Sequence, residues 1–138
     1  MEPSAALGAF TLYAALNTLI LIWLAFNVGQ KRTALKISIG DGNQPTLIRA
    51  MRGQANFVET VPLALLLLLA TTLQGAPALV IHIFGLALTL GRVFHALHFT
   101  ADDAPGWQRG AGAGLTVLVL GVLALGLIGH ALYALVAA

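Results

Sequence analysis

Three long stretches of this chain carry no charge at all: Pro3 to Gln30, Thr60 to Gly91 and Gly110 to Ala138, of 28, 32 and 29 residues. A helix that crosses the hydrocarbon core of a bilayer needs about 20 consecutive apolar residues. The first and last stretches each hold one such helix. The middle stretch is too long for one straight span and contains Gln74-Gly75-Ala76-Pro77, a helix stop followed by a restart. The pattern predicts four helices, over about 5–30, 46–73, 77–99 and 110–136, in a single domain covering residues 1–138. Only 9% of the residues are charged and 59% are hydrophobic, whereas a soluble domain carries about 25% charge. So few charges cannot cover a soluble fold, and a chain this apolar is not disordered. With no cysteine, disulfides, thiolate metal sites and a cysteine nucleophile are excluded. The expected class is an all-α integral membrane protein, a four-transmembrane-helix bundle in the lipid bilayer, with no nucleic-acid partner.

No basic residue precedes the first apolar segment, whereas Lys31 and Arg32 follow it. It is therefore expected to remain as a span and not to be cleaved as a signal peptide. Lys31, Arg32 and Lys36 lie in the first long connection, and Arg109 lies with Asp102 and Asp103 in the third. The positive-inside rule places both connections in the cytoplasm and both termini on the other side. In the first connection, Asp41-Gly42 favours a tight turn.

The second helix carries a polar stripe toward bilayer depth. Arg49, Arg52, Asn56 and Glu59 fall at about 0, 300, 340 and 280° around the helix, an arc of roughly 80°. Arg49 suits a snorkelling role at the helix end. Glu59 lies about 15 Å farther along the axis, where a carboxylate needs a partner or a proton. In the third helix Arg92, His95 and Phe99 share a face within about 60°, and His98 points elsewhere. Arg92 is expected to meet Glu59 or a bound anion. His95, His98 and Asp102 offer metal-ligand types, but their azimuths diverge and no fourth ligand accompanies them, so no metal site is expected. His82 and His130 read as packing or helix–helix hydrogen-bonding residues, and Gly110, Gly114, Gly121, Gly126 and Gly129 as points of close helix approach. Arginine forks bind carboxylates, and a carboxylate such as Glu59 takes an ammonium. The stripe therefore suits a small zwitterionic ligand with more carboxylates than amines, in preference to the cationic substrate of a proton-coupled exporter.

Arg49-x-x-Arg52-x-x-x-Asn56-x-x-Glu59-x-x-Pro62 resembles the second-helix signature of the MAPEG family, the membrane-associated proteins in eicosanoid and glutathione metabolism. Gly40-Asp41-Gly42 is similar to its small bacterial inner-membrane members. Gly91-Arg92-Val93-Phe94-His95 is similar to its prostaglandin E synthase-type members, and Gly29-Gln30-Lys31-Arg32 matches the end of the family's first helix. The resemblance implies a homotrimer of four-helix bundles that binds glutathione between neighbouring subunits, toward the cytoplasmic side. Carried over position by position, it implies a glutathione pocket containing Arg32, Arg52, Asn56, Glu59 and His95, with Arg92 among the buried polar residues of the same region. It implies that Arg109, reached through a small insertion in the preceding loop, stabilises the thiolate as the catalytic residue. The implied activity is a glutathione-dependent transferase or peroxidase of hydrophobic electrophiles. The alternatives are a non-catalytic glutathione- or lipid-binding scaffold and a small proton-coupled transporter using Glu59. Three positions depart from the family's enzymes: Phe99 and Ala113 stand where the eicosanoid enzymes carry tyrosines, and Gly110 replaces a small hydroxyl residue.

Overall fold

The computed structural model describes residues 4–137, and Glu2 lies outside the described residues. Four helices run in order: α1 (Ala5–Leu35), α2 (Pro45–Leu73), α3 (Ala78–Thr100) and α4 (Gly106–Ala137). All four are long and apolar enough to cross a membrane. The short turn after α2 brings the chain straight back, so the helices alternate in direction. Both longer connections therefore lie at one end of the bundle.

Two helix ends differ from the sequence expectation. α1 continues through Gln30-Lys31-Arg32-Thr33-Ala34-Leu35 because Lys, Arg, Ala and Leu are good helix formers once past the apolar span. It stops at Lys36, which adopts the left-handed conformation (φ 56°) and donates its backbone N–H to the carbonyls of Arg32 and Thr33. α4 begins at Gly106, directly after Pro105, and not near Gly110. The loss of charge after Arg109 marks the membrane edge, while the proline marks the helix start.

Within the bundle α2 and α3 pack against each other, and α1 and α4 flank them on opposite sides without touching. The section is a rhombus with α2 and α3 on the short diagonal. Three apolar layers fill it from the short-turn end to the long-loop end: Ala64, Leu68, Ile81, Leu88 and Val119; then Leu24, Phe57, Val61 and Ala96; then Val28, Leu47 and Ala50. Lipid is as apolar as these side chains, so burial alone does not drive the helices together, and close packing and hydrogen bonds must.

α3 supplies most of those hydrogen bonds. Near the short-turn end, His82 Nδ1 and Tyr13 Oη are 3.0 Å apart. A level further on, the fully buried Asn17 donates to Thr89 Oγ1 at 2.9 Å and to the Tyr13 carbonyl at 2.9 Å. α1 can lie this close because Gly85 leaves room for the Tyr13 ring. A Cβ at that position would sit 2.2 Å from Tyr13 Cδ2.

The α3–α4 contact depends on Gly91 and Gly112, and not on the glycine series expected from the sequence. A Cβ on Gly112 would meet the Gly91 carbonyl oxygen at 2.6 Å and the His95 backbone nitrogen at 2.8 Å. Gly110, Gly114, Gly121, Gly126 and Gly129 have open space where a Cβ would go, so none of them makes a close helix contact. Gly112→Ala should therefore force α3 and α4 apart and cost about 1–3 kcal/mol. Thermal unfolding in detergent should show a lowered midpoint for Gly112→Ala and none for Gly114→Ala. Equal midpoints would remove Gly112 from the helix contact.

Candidate functional site

The polar residues of the long-loop end are assembled around one buried cation. Arg92 is only 1% exposed. Its Nη1 donates to Asn56 Oδ1 at 3.0 Å and to Thr60 Oγ1 at 3.3 Å, and its Nη2 donates to the Gly112 carbonyl at 3.3 Å. One guanidinium thus joins α2, α3 and α4. Glu59 is not its partner, contrary to the sequence expectation. Asn56 and Thr60 are one turn apart and face α3, whereas Glu59 lies about 60° from Asn56 and about 100° from Thr60 around α2 and is exposed. The sole ion pair among the described residues joins Lys31 to Asp102 at 3.4 Å on the surface. Arg92 therefore keeps its charge among neutral oxygens, and its buried Nε has no hydrogen-bond partner.

In front of Arg92 lies a cleft of about 360 Å³ between α2, α3 and α4, lined by Arg52, Asn56, His95, Phe99, Arg109 and Ala113. The structure thus brings together four of the seven predicted site residues, from three helices and more than fifty positions of sequence. Because Arg92 occupies Asn56 Oδ1, the amide offers its NH2 group to the cleft. Arg52 and Arg109 add guanidiniums from opposite walls, and no carboxylate lines the space. Apart from the His95 ring, every side-chain polar group the cleft offers is a donor. Phe99 forms the apolar wall: it packs over Gly53, where a Cβ would meet it at 2.5 Å, and its ring lies 4.7 Å from that of His95.

Arg32 and Glu59 are not brought into this cleft. Arg32 sits on the other flank of α2, in a hollow of about 320 Å³ with Val28, Met51, Gln54, Ala55 and Val58. Its Nη1 donates to the Gly40 carbonyl at 2.8 Å and reaches those of Ile37 and Ser38 at 3.4 Å. It thereby organises the first long connection, which is an ordered turn closed by Asp41, whose Oδ1 accepts from the Asn43 N–H at 2.9 Å. Glu59 stands on the ridge of α2 between the hollow and the cleft.

Two residues matter more than sequence reasoning allowed. Arg49 does not simply snorkel: its Nη2 donates to the His98 carbonyl at 2.6 Å and to His98 Nε2 at 3.0 Å, and its Nε donates to the Ala101 carbonyl at 3.1 Å. These carbonyls end α3, where a cation is favoured by the helix dipole. A guanidinium can only donate, so His98 Nε2 accepts, and Nδ1–H donates to the Pro105 carbonyl at 3.2 Å. His98 is thereby committed to holding the α3–α4 connection, and Asp102 faces Lys31. Neither converges with His95, and no group of three metal-ligating side chains gathers among the described residues. The available signal was the placement of Arg49 on the same arc as Arg52, which aims it at the end of a neighbouring helix.

Comparison with known proteins places this arrangement in a family. Residues 10–129 match the MAPEG family over most of the chain, all four helices included. The chain belongs to the MAPEG family. The match spans the arginine-rich second helix and Arg92. Among curated proteins, this MAPEG chain is 36% identical to the inner membrane protein YecN of Escherichia coli strain K12 over 114 residues, which is 82% of this chain and 86% of that one. YecN from Escherichia coli O6:H1 matches to the same extent.

Arg92→Lys tests the central contact. A single ammonium on a flexible stem cannot replace a planar fork that reaches α2 and α4 at once. Losing one hydrogen bond to a buried charge should cost about 1.5–3 kcal/mol, read as a lowered unfolding midpoint in detergent. Wild-type stability for Arg92→Lys would show that the bridge to α4 contributes nothing.

Proposed function

We propose that this protein is an enzyme of the glutathione-dependent transferase or peroxidase type, embedded in the inner membrane as a homotrimer and acting on hydrophobic electrophiles. The observation that carries the reading is the cleft's one-sided polarity. Arg52, Asn56 and Arg109 present donors into one space, with Arg92 adding positive charge behind the wall. Glutathione has two carboxylates, one ammonium and a thiol, and this donor set fits the carboxylates. The thiol needs a neighbouring cation, since a free thiol titrates near 8.5 and a guanidinium favours the thiolate. Arg109, on the first turn of α4 and lining the cleft, is the group assigned to that work. Arg109 thereby holds the nucleophilic sulfur in its anionic form, and the released proton leaves to water.

The ammonium needs an acceptor, and the cleft wall has no carboxylate. Glu59 and Arg32 supply the reason for placing the ligand between subunits. Glu59 stands on an exposed ridge and Arg32 on the far flank of α2, so a second copy against α2 would bring further polar groups to a ligand held there. Apolar acceptors would reach the site from the lipid, with the long-loop end and the site toward the cytoplasm and both termini on the other side. The inner-membrane assignment rests on the name carried by YecN.

A second reading is binding without turnover, as a scaffold. It is favoured by Phe99 and Ala113 in the cleft wall, because the eicosanoid enzymes that the chain resembles have tyrosine hydroxyls at those positions. A panel of electrophiles, including a chloronitrobenzene, separates the two readings: bound glutathione without conjugation or peroxide reduction would leave the scaffold.

Arg109→Ala should abolish the ultraviolet absorbance of the bound thiolate while glutathione still binds. Unchanged absorbance would remove Arg109 from the chemistry. Glu59→Ala should weaken glutathione binding at least tenfold in calorimetry, since it removes the acceptor proposed for the ammonium. Wild-type affinity would take Glu59 out of the site.

A further inference from the structure

A further cavity lies at the end of the bundle opposite the charged cleft. Its volume is about 420 Å³, within the range of sites that take small organic ligands. Phe84, Val80, Val122 and Leu127 form its walls, and Gln74 and His130 supply polar groups. The space exists because Gly126 on α4 faces the short turn at Gly75-Ala76 with no side chain. A Cβ on Gly126 would meet nothing within 4 Å. Leu73 and Leu79, next in sequence to the cavity's lining residues Gln74 and Val80, are exposed apolar side chains.

We propose that this cavity is a binding site for a neutral, ring-bearing amphiphile whose single carbonyl or hydroxyl group meets His130 and Gln74. Charge decides the class of ligand. No Asp, Glu, Lys or Arg lines the cavity, and Arg92, on α3, is eight residues from Phe84, about 12 Å along the axis. A phosphate or carboxylate head would enter without a counter-ion, at high cost in this medium. The two polar side chains carry no hydrogen bond to other described residues, whereas the neighbouring Thr71 hydroxyl is already used by the Leu67 carbonyl. An amide and an imidazole together can donate to a carbonyl or accept from a hydroxyl. The apolar walls and the Phe84 ring suit an aromatic body.

This site is separate from the charged cleft. Val122 is nine residues beyond Ala113 on α4, about 14 Å along the helix, too far for a ligand here to meet the group held by Arg109. The inference therefore stands whether or not the cleft takes glutathione.

The test uses benzophenone, a neutral diaryl ketone with a single carbonyl that cross-links on irradiation, with the full chain in detergent and in vesicles. Mapping by mass spectrometry should find the label on Val122–His130 and on Thr71–Phe84. Gly126→Leu should reduce this labelling at least tenfold with the unfolding midpoint preserved, since its side chain fills open space. Val122→Phe, which narrows the same cavity from another position, should do likewise. His130→Leu should reduce labelling several-fold, and Arg109→Ala should leave it unchanged. The anionic 4-benzoylbenzoate should label at least tenfold less. Labelling that persists in Gly126→Leu and Val122→Phe, or that is equally strong on the exposed Leu12–Phe26 face of α1, would overturn the proposal. So would a cross-link at Val122–His130 to a second copy of the chain, because the cavity would then be a subunit contact.

Discussion

A guanidinium buried among three helices and bound only to neutral oxygens is the contact on which the long-loop half of this bundle depends. Arg92 fixes the Asn56 amide on α2, accepts the company of Thr60, and reaches the Gly112 carbonyl on α4. Each acceptor is itself held: Thr60 donates to the Asn56 carbonyl at 2.8 Å, and Thr116 donates to the Gly112 carbonyl at 2.8 Å. The network is thus anchored to backbone on both sides. Because apolar side chains gain nothing by leaving lipid for one another, such contacts determine which helices meet. The same Arg92 bond that joins α2 to α3 also turns the Asn56 amide so that it presents donors to the cleft.

Much of this was legible in the sequence. The uncharged stretches located four helices, and the three- and four-residue spacings placed Arg52 with Asn56 and His95 with Phe99 on common faces. Periodicity gives the angle between residues of one helix, however, and not the neighbour that each face meets. This is why the pattern alone offers Arg92 either Glu59 or a bound anion as its partner. Glu59 and Arg92 both lie on polar faces, but the two elements are rotated so that Asn56 and Thr60 meet α3 while Glu59 turns outward. The glycines of α4 show the same limit. Their spacing marks a smooth surface, and only the packed helices show that Gly112, outside that series, makes the contact with Gly91.

Helix ends were hard to read for a different reason. A charge marks where the membrane stops, but a helix continues as long as its residues favour it. α1 carries Lys31 and Arg32 on an extra turn beyond the apolar span, and α4 starts before Arg109 at Pro105-Gly106. The second difference bears directly on the cleft, since it puts Arg109 on a rigid first turn and not in a loop. Arg49 completes the support by tying the end of α3 to the start of α2. Together with His98 and the Pro105 carbonyl it fixes the loop from which α4, and hence Arg109, departs.

The order of Arg92 and its acceptors along the chain also bears on how the protein is made. An arginine at the centre of a lone helix costs about 2.5–3.5 kcal/mol to pass from the translocon into lipid. Asn56 and Thr60 are synthesised before Arg92, and α2 is joined to α3 by a turn of only a few residues. The two can therefore enter the bilayer as a hairpin, with the guanidinium already bonded at two of its three contacts. Gly112 arrives last, so α4 docks against a pair whose charge is largely satisfied. Had Asn56 and Thr60 both lain on α4 instead, α3 would have had to wait at the translocon with its cation bare.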